Sequence, residues 1–134
     1  MISLSLETDT RVAFIDVTAL TENAVAASGL REGAVLVYCP HTTAGVTINE
    51  NADPTVRRDL IMTLDRLVPG DLPYAHLEGN SDAHAKATLT GSSVLVPVEA
   101  GRLVLGTWQG IYFAEFDGPR RRRLLVQPLP GLRP

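Results

Sequence analysis

Strand patterns gather toward the two ends of this chain and the best helical patterns lie between them, which constrains the fold more than any other feature. Near the start, Ser3, Ser5 and Glu7 alternate with Ile2, Leu4 and Leu6, the period of two that half-buries a strand. Val12 to Val17 reads as its hairpin partner across Thr8 to Thr10. Gly33 to Cys39 (GAVLVYC) is apolar on both faces, which predicts an interior strand covered on both sides. Four further strands are expected over Ser92–Val98, Arg102–Leu105, Trp108–Phe116 and Arg123–Gln127, with turns at Glu99-Ala100-Gly101 and Asp117-Gly118-Pro119.

The helices have start and stop signals of their own. Thr18 to Gly29 offers Thr18 or Thr21 as N-cap, an alanine-rich body and a closing glycine. Asp53-Pro54 opens the clearest helix and Pro69-Gly70 ends it. Val56, Leu60, Ile61, Leu64, Leu67 and Val68 form its apolar stripe, which predicts that it covers a sheet. A polar loop follows from Asp71 to Asp82, then a short helix over Ser81–Thr90 closed by Gly91. Segregated rather than alternating elements predict α+β, a β-rich sandwich or barrel-like core of about seven to nine strands with two to three helices. The PLPGLRP terminus reads as a loosely held tail.

A chain of 134 residues fits one domain, 1–134, large enough to bury a real core. With 45% hydrophobic and 20% charged residues it falls among globular rather than disordered sequences. The single cysteine, Cys39, reads as a buried inert thiol and suits a reducing compartment. The first residues show no basic, apolar leader pattern, and no window reaches the ~20 apolar residues of a membrane span. A cytoplasmic location is expected. The net charge of -3 argues against nucleic acid as a partner. Arg120 to Arg123 is the local exception, a run that either binds phosphate or marks a solvated strand end or subunit contact.

The three histidines, His41, His76 and His84, all fall in acid-bearing segments, the first leading through HTTAGVTINENADP to Glu50 and Asp53, the second beside Glu78 and Asp82. Imidazoles with carboxylates are ligands for a divalent metal ion, and histidines favour Zn²⁺ or Mn²⁺ over Mg²⁺. Each is equally suited to a structural or surface role. The GxSxG, GxxxxGK[ST] and GxGxxG patterns are absent, which leaves serine hydrolysis and glycine-loop nucleotide binding without a motif. In GTWQG, Trp108 is either core packing or a stacking wall, with Gln109 fixing polar atoms of a ligand.

Three stretches, HTTAGVTINENADPTVRRDL (His41 to Leu60), H-x-EG-N-x-D-AH-x-K-A-x-LTGSS (His76 to Ser93) and GRLVLGTWQGIY (Gly101 to Tyr112), resemble the YjbQ-like family over most of the chain. Asn80-Ser81 departs from the Pro-Asp pair common there and leaves Glu78 and Asp82 in place. The resemblance implies a β-rich α+β homotrimer with a site among the histidine segments, near a subunit boundary. It also implies a secondary thiamine-phosphate synthase activity on a phosphorylated small molecule. In that scheme His41, His76 and His84 hold the metal, Glu50, Asp53 and Gln109 are catalytic, and Thr42, Asn51 and Trp108 bind substrate. A metal-dependent hydrolase, or a non-catalytic trimer binding a metabolite or metal, is the alternative.

Overall fold

The computed structural model describes residues 1–132. Eight strands and three helices follow one another as β1 (Ile2–Glu7), β2 (Ala13–Asp16), α1 (Thr18–Ser28), β3 (Gly33–Tyr38), β4 (Ala44–Glu50), α2 (Pro54–Leu67), α3 (Ser81–Thr90), β5 (Ser93–Glu99), β6 (Arg102–Leu103), β7 (Gln109–Glu115) and β8 (Arg121–Pro130). They build two antiparallel sheets, ordered β1-β8-β3-β5-β6 and β2-β7-β4, one of them curled into a half-barrel. The α+β class read from the sequence is the observed one. No helix among the described residues is long and apolar enough to cross a membrane.

Cross-strand register sets the main core. Ile2 and Val37 both lie opposite Val126, Leu4 lies opposite Leu124, and Val35 opposite Val96, so alternate positions of four strands point inward together. Ile111 and Phe113 of β7 complete this core from the second sheet. The intervening Tyr112 and Ala114 point the other way, into a second cluster with Phe14, Phe116, Ala83 and Ala87, against which Leu60, Ile61 and Leu64 pack.

Several sequence expectations are corrected here. The strand covered on both faces is β7, whose residues Gly110 to Glu115 are all buried, while Leu36 is half-buried and Tyr38 exposed on the outer side of β3. The reason is that α2 and α3 pack on the three-stranded sheet and leave the outer face of the other open. The expected hairpin of the first two strands does not form, since β1 pairs with β8 and β2 with β7. Half of the expected polar segment after His41 is strand β4. The expected loose tail is strand as far as Pro130, and its last two positions, 133 and 134, lie outside the described residues.

The capping signals hold better. Asp53 accepts from the Thr55 backbone N–H at 2.9 Å with Pro54 at the first helical position. Gly29 ends α1 in the left-handed region, with φ of 75°. The N-cap of α1 is Val17 rather than either threonine candidate, and it makes no side-chain capping bond, so Thr18 is the first helical residue. Its first-turn support comes from Asp16, which accepts from both the backbone N–H and the hydroxyl of Thr18.

Candidate functional site

The fold brings the three histidines to one place. His41 follows β3, His84 sits in α3, and His76 lies in the loop before α3. All three line a cleft of about 400 Å³ together with Glu78, Asn80, Arg120 and Arg122. An adjoining depression of similar size shares His41, Thr42 and His84, so these residues form the ridge between two hollows. The His76 and His84 rings stand edge to face with centroids 5.5 Å apart. His76 is exposed, whereas His41 and His84 are half-buried.

Beneath His41 lies a buried ion pair that resolves the arginine run. Arg122 and Glu115 are 4% and 0% exposed. The guanidinium donates to both carboxylate oxygens through Nε and Nη2, and Nη2 also donates to Thr43 Oγ1 at 2.8 Å. Glu115 accepts in addition from Thr8 Oγ1 and from the Asp117 backbone N–H. Arg120 pairs with Asp117, Arg121 with Glu7, and the Arg123 backbone N–H donates to His41 Nε2 at 2.9 Å. Four consecutive arginines thus occupy four different environments, and two of them line the cleft.

That last bond decides what His41 offers. With the Nε2 lone pair accepting a backbone N–H, neutral His41 carries its proton on Nδ1 and is a donor there. Burial, and then the charge of Arg122, hold its pKa below the ordinary imidazole value, so the neutral form dominates near pH 7.

The residues of this chain do not fit a metal held by His41, His76 and His84 together. Among the described residues no group of three or more His, Cys, Asp or Glu side chains converges closely enough to bind an ion. His41 has also committed the lone pair that a metal would need. The nearby guanidiniums of Arg120 and Arg122 give the cleft fixed positive charge and hydrogen-bond donors.

Sequence reasoning missed the functional interest of Asn80. It stands at the N-cap of α3, yet makes no side-chain capping bond. Instead Nδ2 donates to Asp117 Oδ2 at 2.8 Å, which fixes the amide orientation because a carboxylate can only accept. Oδ1 is left as the one buried side-chain polar atom without a partner among the described residues. An unpaired buried acceptor costs about 1–3 kcal/mol, and the unused cap forgoes about 1 kcal/mol more. The signal available in the sequence was only its position before an alanine-rich helix.

The remaining predicted site residues lie elsewhere. Glu50, Asn51, Asp53, Trp108 and Gln109 cluster at the far end of β4, where Glu50 lies opposite Gln109 and the Asn51 backbone N–H donates to Trp108 O. The seven residues of β4 separate this end from the histidine end by roughly 20 Å at about 3.4 Å per residue. Three of them have local roles there. Asp53 caps α2, Gln109 Oε1 accepts from Gly106 N–H, and Asn51 Nδ2 donates to Asp16. Trp108 is 62% exposed and is not core. Thr42 alone of the predicted substrate-binding residues lines the histidine cleft. Cys39 is buried as expected, and burial raises its thiol pKa.

A two-sheet α+β domain with a histidine-lined cleft at one end of its smaller sheet is the class these observations define. Residues 2–131 match the family described as UPF0047 protein YjbQ-like, and the chain belongs to that family. It is 49% identical over 126 residues to the UPF0047 protein YugU of Bacillus subtilis, covering 93% of this chain and 96% of the relative. A UPF0047 protein of Methanocaldococcus jannaschii is 49% identical over 122 residues, with 91% and 88% covered. Among solved structures, an uncharacterised family member from Clostridium acetobutylicum matches with a TM-score of 0.93 at 55% identity, covering 95% of this chain and 98% of that one. A conserved hypothetical protein from Thermus thermophilus matches at 0.90 and 44%, with 96% and 100% covered.

Proposed function

We propose that this chain is a small-molecule enzyme that takes a phosphorylated heterocycle into the histidine cleft, with thiamine-phosphate synthesis as the candidate reaction. The observation that carries the reading is the convergence of His41, His76 and His84, from three separate segments, on one cleft with Glu78 and two arginines. In the candidate reaction a thiazole nitrogen forms a bond to the methylene carbon of a pyrimidine diphosphate as the carbon–oxygen bond to diphosphate breaks. Arg120 at the rim receives the diphosphate oxygens. His76 or His84 donates a hydrogen bond to the departing group, and the Nδ1–H of His41 donates another.

The test pairs product formation from these two substrates with calorimetry. His84→Ala is expected to lower turnover by about 10²–10⁴-fold and to weaken binding of the phosphorylated heterocycle. Unchanged binding and turnover in both His84→Ala and His41→Ala would remove the cleft from the reaction. A second reading, a non-catalytic protein binding a metabolite, is favoured by one fact. Both cleft arginines already face carboxylates, Asp117 and Glu115, which limits the charge they present. Binding without turnover selects this reading.

The protein is also proposed to work as a homotrimer. Support comes from the open outer face of the larger sheet, where Tyr38, Leu95 and Leu129 are 41%, 60% and 41% exposed; Tyr38 lies opposite Leu125, Leu95 opposite Leu36 and Leu129 opposite Ala34. Apolar surface of this kind on a small domain marks an association site. Assembly would give the distant Glu50 and Trp108 end a route to a neighbour's cleft. Light scattering at micromolar protein is expected to return three times the chain mass, and a monomer mass would confine the site to the histidine end.

A further inference from the structure

We infer that Asp117 is a positioning residue for anion binding in the histidine cleft: it holds the Arg120 guanidinium with one donor edge occupied and the other open to an incoming anion. The inference rests on the proposal that Arg120 receives the anionic group, and it adds what aims that side chain. Asp117 takes Arg120 twice. Its backbone oxygen accepts from Nε at 2.8 Å and its Oδ2 from Nη2 at 2.9 Å. A guanidinium is a rigid planar fork that grips an oxyanion with two parallel N–H bonds along one edge. The Nε/Nη2 edge is therefore taken by Asp117, while Nη1 has no partner among the described residues and the Nη1/Nη2 edge keeps two donors. Arg120 lines the cleft, and half of its side chain is exposed. Arg122, by contrast, is buried against Glu115, which leaves Arg120 as the cleft guanidinium within easy reach of solvent.

The carboxylate is itself fixed from behind. The oxygen that holds Arg120 also accepts from Asn80 Nδ2 at 2.8 Å, and Asn80 is buried at the N-cap of the helix that carries His84. The Asp117 backbone N–H donates to Glu115 Oε2, which ties the same turn to the ion pair beneath His41. Burial opposes the charge on Asp117, but the Asn80 and Arg120 donors outweigh it and hold the carboxyl below the ordinary carboxylate range, so it stays ionised near neutral pH. An exposed arginine loses rotamer freedom when an anion fixes it, and a side chain already held loses less. The clamp also has a drawback, since an anion on the open edge feels the negative charge behind the guanidinium. Asp117 therefore acts in two opposed ways, by geometry and by charge, and substitutions separate them.

The experiment measures inorganic diphosphate binding to the intact protein by calorimetry, with Asp117→Asn and Asp117→Ala set against wild type. Asparagine keeps an oxygen able to accept from both Arg120 and Asn80 but removes the charge. Asp117→Asn is therefore expected to bind diphosphate about 3- to 10-fold more tightly than wild type. Alanine removes charge and clamp together, and should bind about 3- to 10-fold more weakly than the asparagine variant. A residue needed only for folding would weaken binding in both variants and strengthen it in neither. Asp117→Ser, whose oxygen ends one bond short of Oδ2, replaces the alanine variant if that one folds poorly. An asparagine variant that fails to bind more tightly than wild type, or than the alanine variant, overturns the inference, as does a wild type that binds no diphosphate. Arg120→Met separates that failure from failure of the underlying proposal. A loss of diphosphate affinity in this variant keeps Arg120 as the anion's receiver whatever Asp117 does, and an unchanged affinity removes Arg120 from the site and this inference with it.

Discussion

Replacing Arg122 with alanine should destabilise the protein by about 3–5 kcal/mol, the cost of leaving a buried carboxylate without its counter-charge. Glu115 is fully buried, and its other donors, the Thr8 hydroxyl and the Asp117 backbone N–H, are neutral, so removing Arg122 removes its counter-charge. The companion change Glu115→Gln in the Arg122→Met background should recover most of the loss, because removing both charges removes the need for either. Denaturant unfolding of the three variants measures this. A loss below about 1 kcal/mol for Arg122→Ala would show that the pair is not the structural core of the cleft floor.

The same pair fixes a pH response of opposite sign in wild type and variant. In the wild type burial opposes the charge on Glu115, but the Arg122, Thr8 and Asp117 donors outweigh it and hold the carboxyl below its ordinary value of 4.5. The unfolded chain then binds more protons than the folded one, so this contribution is present above pH 4.5 and is lost as pH falls from there through the folded value. His41, also lowered, adds a loss in the same direction that begins below about pH 6.5. In Arg122→Ala the Glu115 carboxyl loses its partner and its pKa rises. Protonation then relieves the buried charge, so the variant's deficit relative to wild type should shrink on acidification.

How much of this was legible in the sequence depended on whether the signal was local. Asp53 and Pro54 marked the start of α2 because capping is decided within three residues, and the limits of α3 followed from Gly91 in the same way. Strand partners are not local. Alternation in Ile2 to Glu7 gave the buried face correctly, but nothing in it points to Val126 or Leu124 more than a hundred positions away. Strand β4 reads in the sequence as a polar, acid-bearing segment because Thr47, Asn49 and Glu50 dominate it, although Val46 and Ile48 alternate with them toward the core. That one misreading split the candidate site. Treated as a loop, residues 41–53 could fold Glu50 and Asp53 back onto His41; as an extended strand they hold the two ends apart. The histidine convergence holds because His41 precedes β4 while His76 and His84 lie just before and within α3, so none of them needs β4 to fold back.

The glycine that seats α3 on β4 was invisible in the sequence, and its replacement should have the second large effect. Gly45 lies where a Cβ would stand 2.5 Å from the backbone oxygen of Gly91, with the Thr90 side chain at 3.1 and 3.3 Å. The first contact is with backbone, so a rotamer change cannot relieve it. Gly91 O also accepts the Val46 N–H at 3.1 Å, and the displacement that admits a methyl group breaks that bond. Overpacking of about 1–3 kcal/mol and roughly 1 kcal/mol for the lost hydrogen bond give an expected destabilisation of about 2–4 kcal/mol for Gly45→Ala. Function should suffer beyond stability. Gly91 is the C-cap of the helix that carries His84, and Gly91 and His84 line the same hollow beside His41. Lifting the end of α3 from β4 therefore widens the gap between two of the three histidines. Thermal unfolding measures the first effect, and ligand binding well below the variant's melting temperature measures the second. A variant with wild-type binding and a lowered melting temperature would mean that the cleft tolerates a shift of α3, and that His84 need not be held against His41.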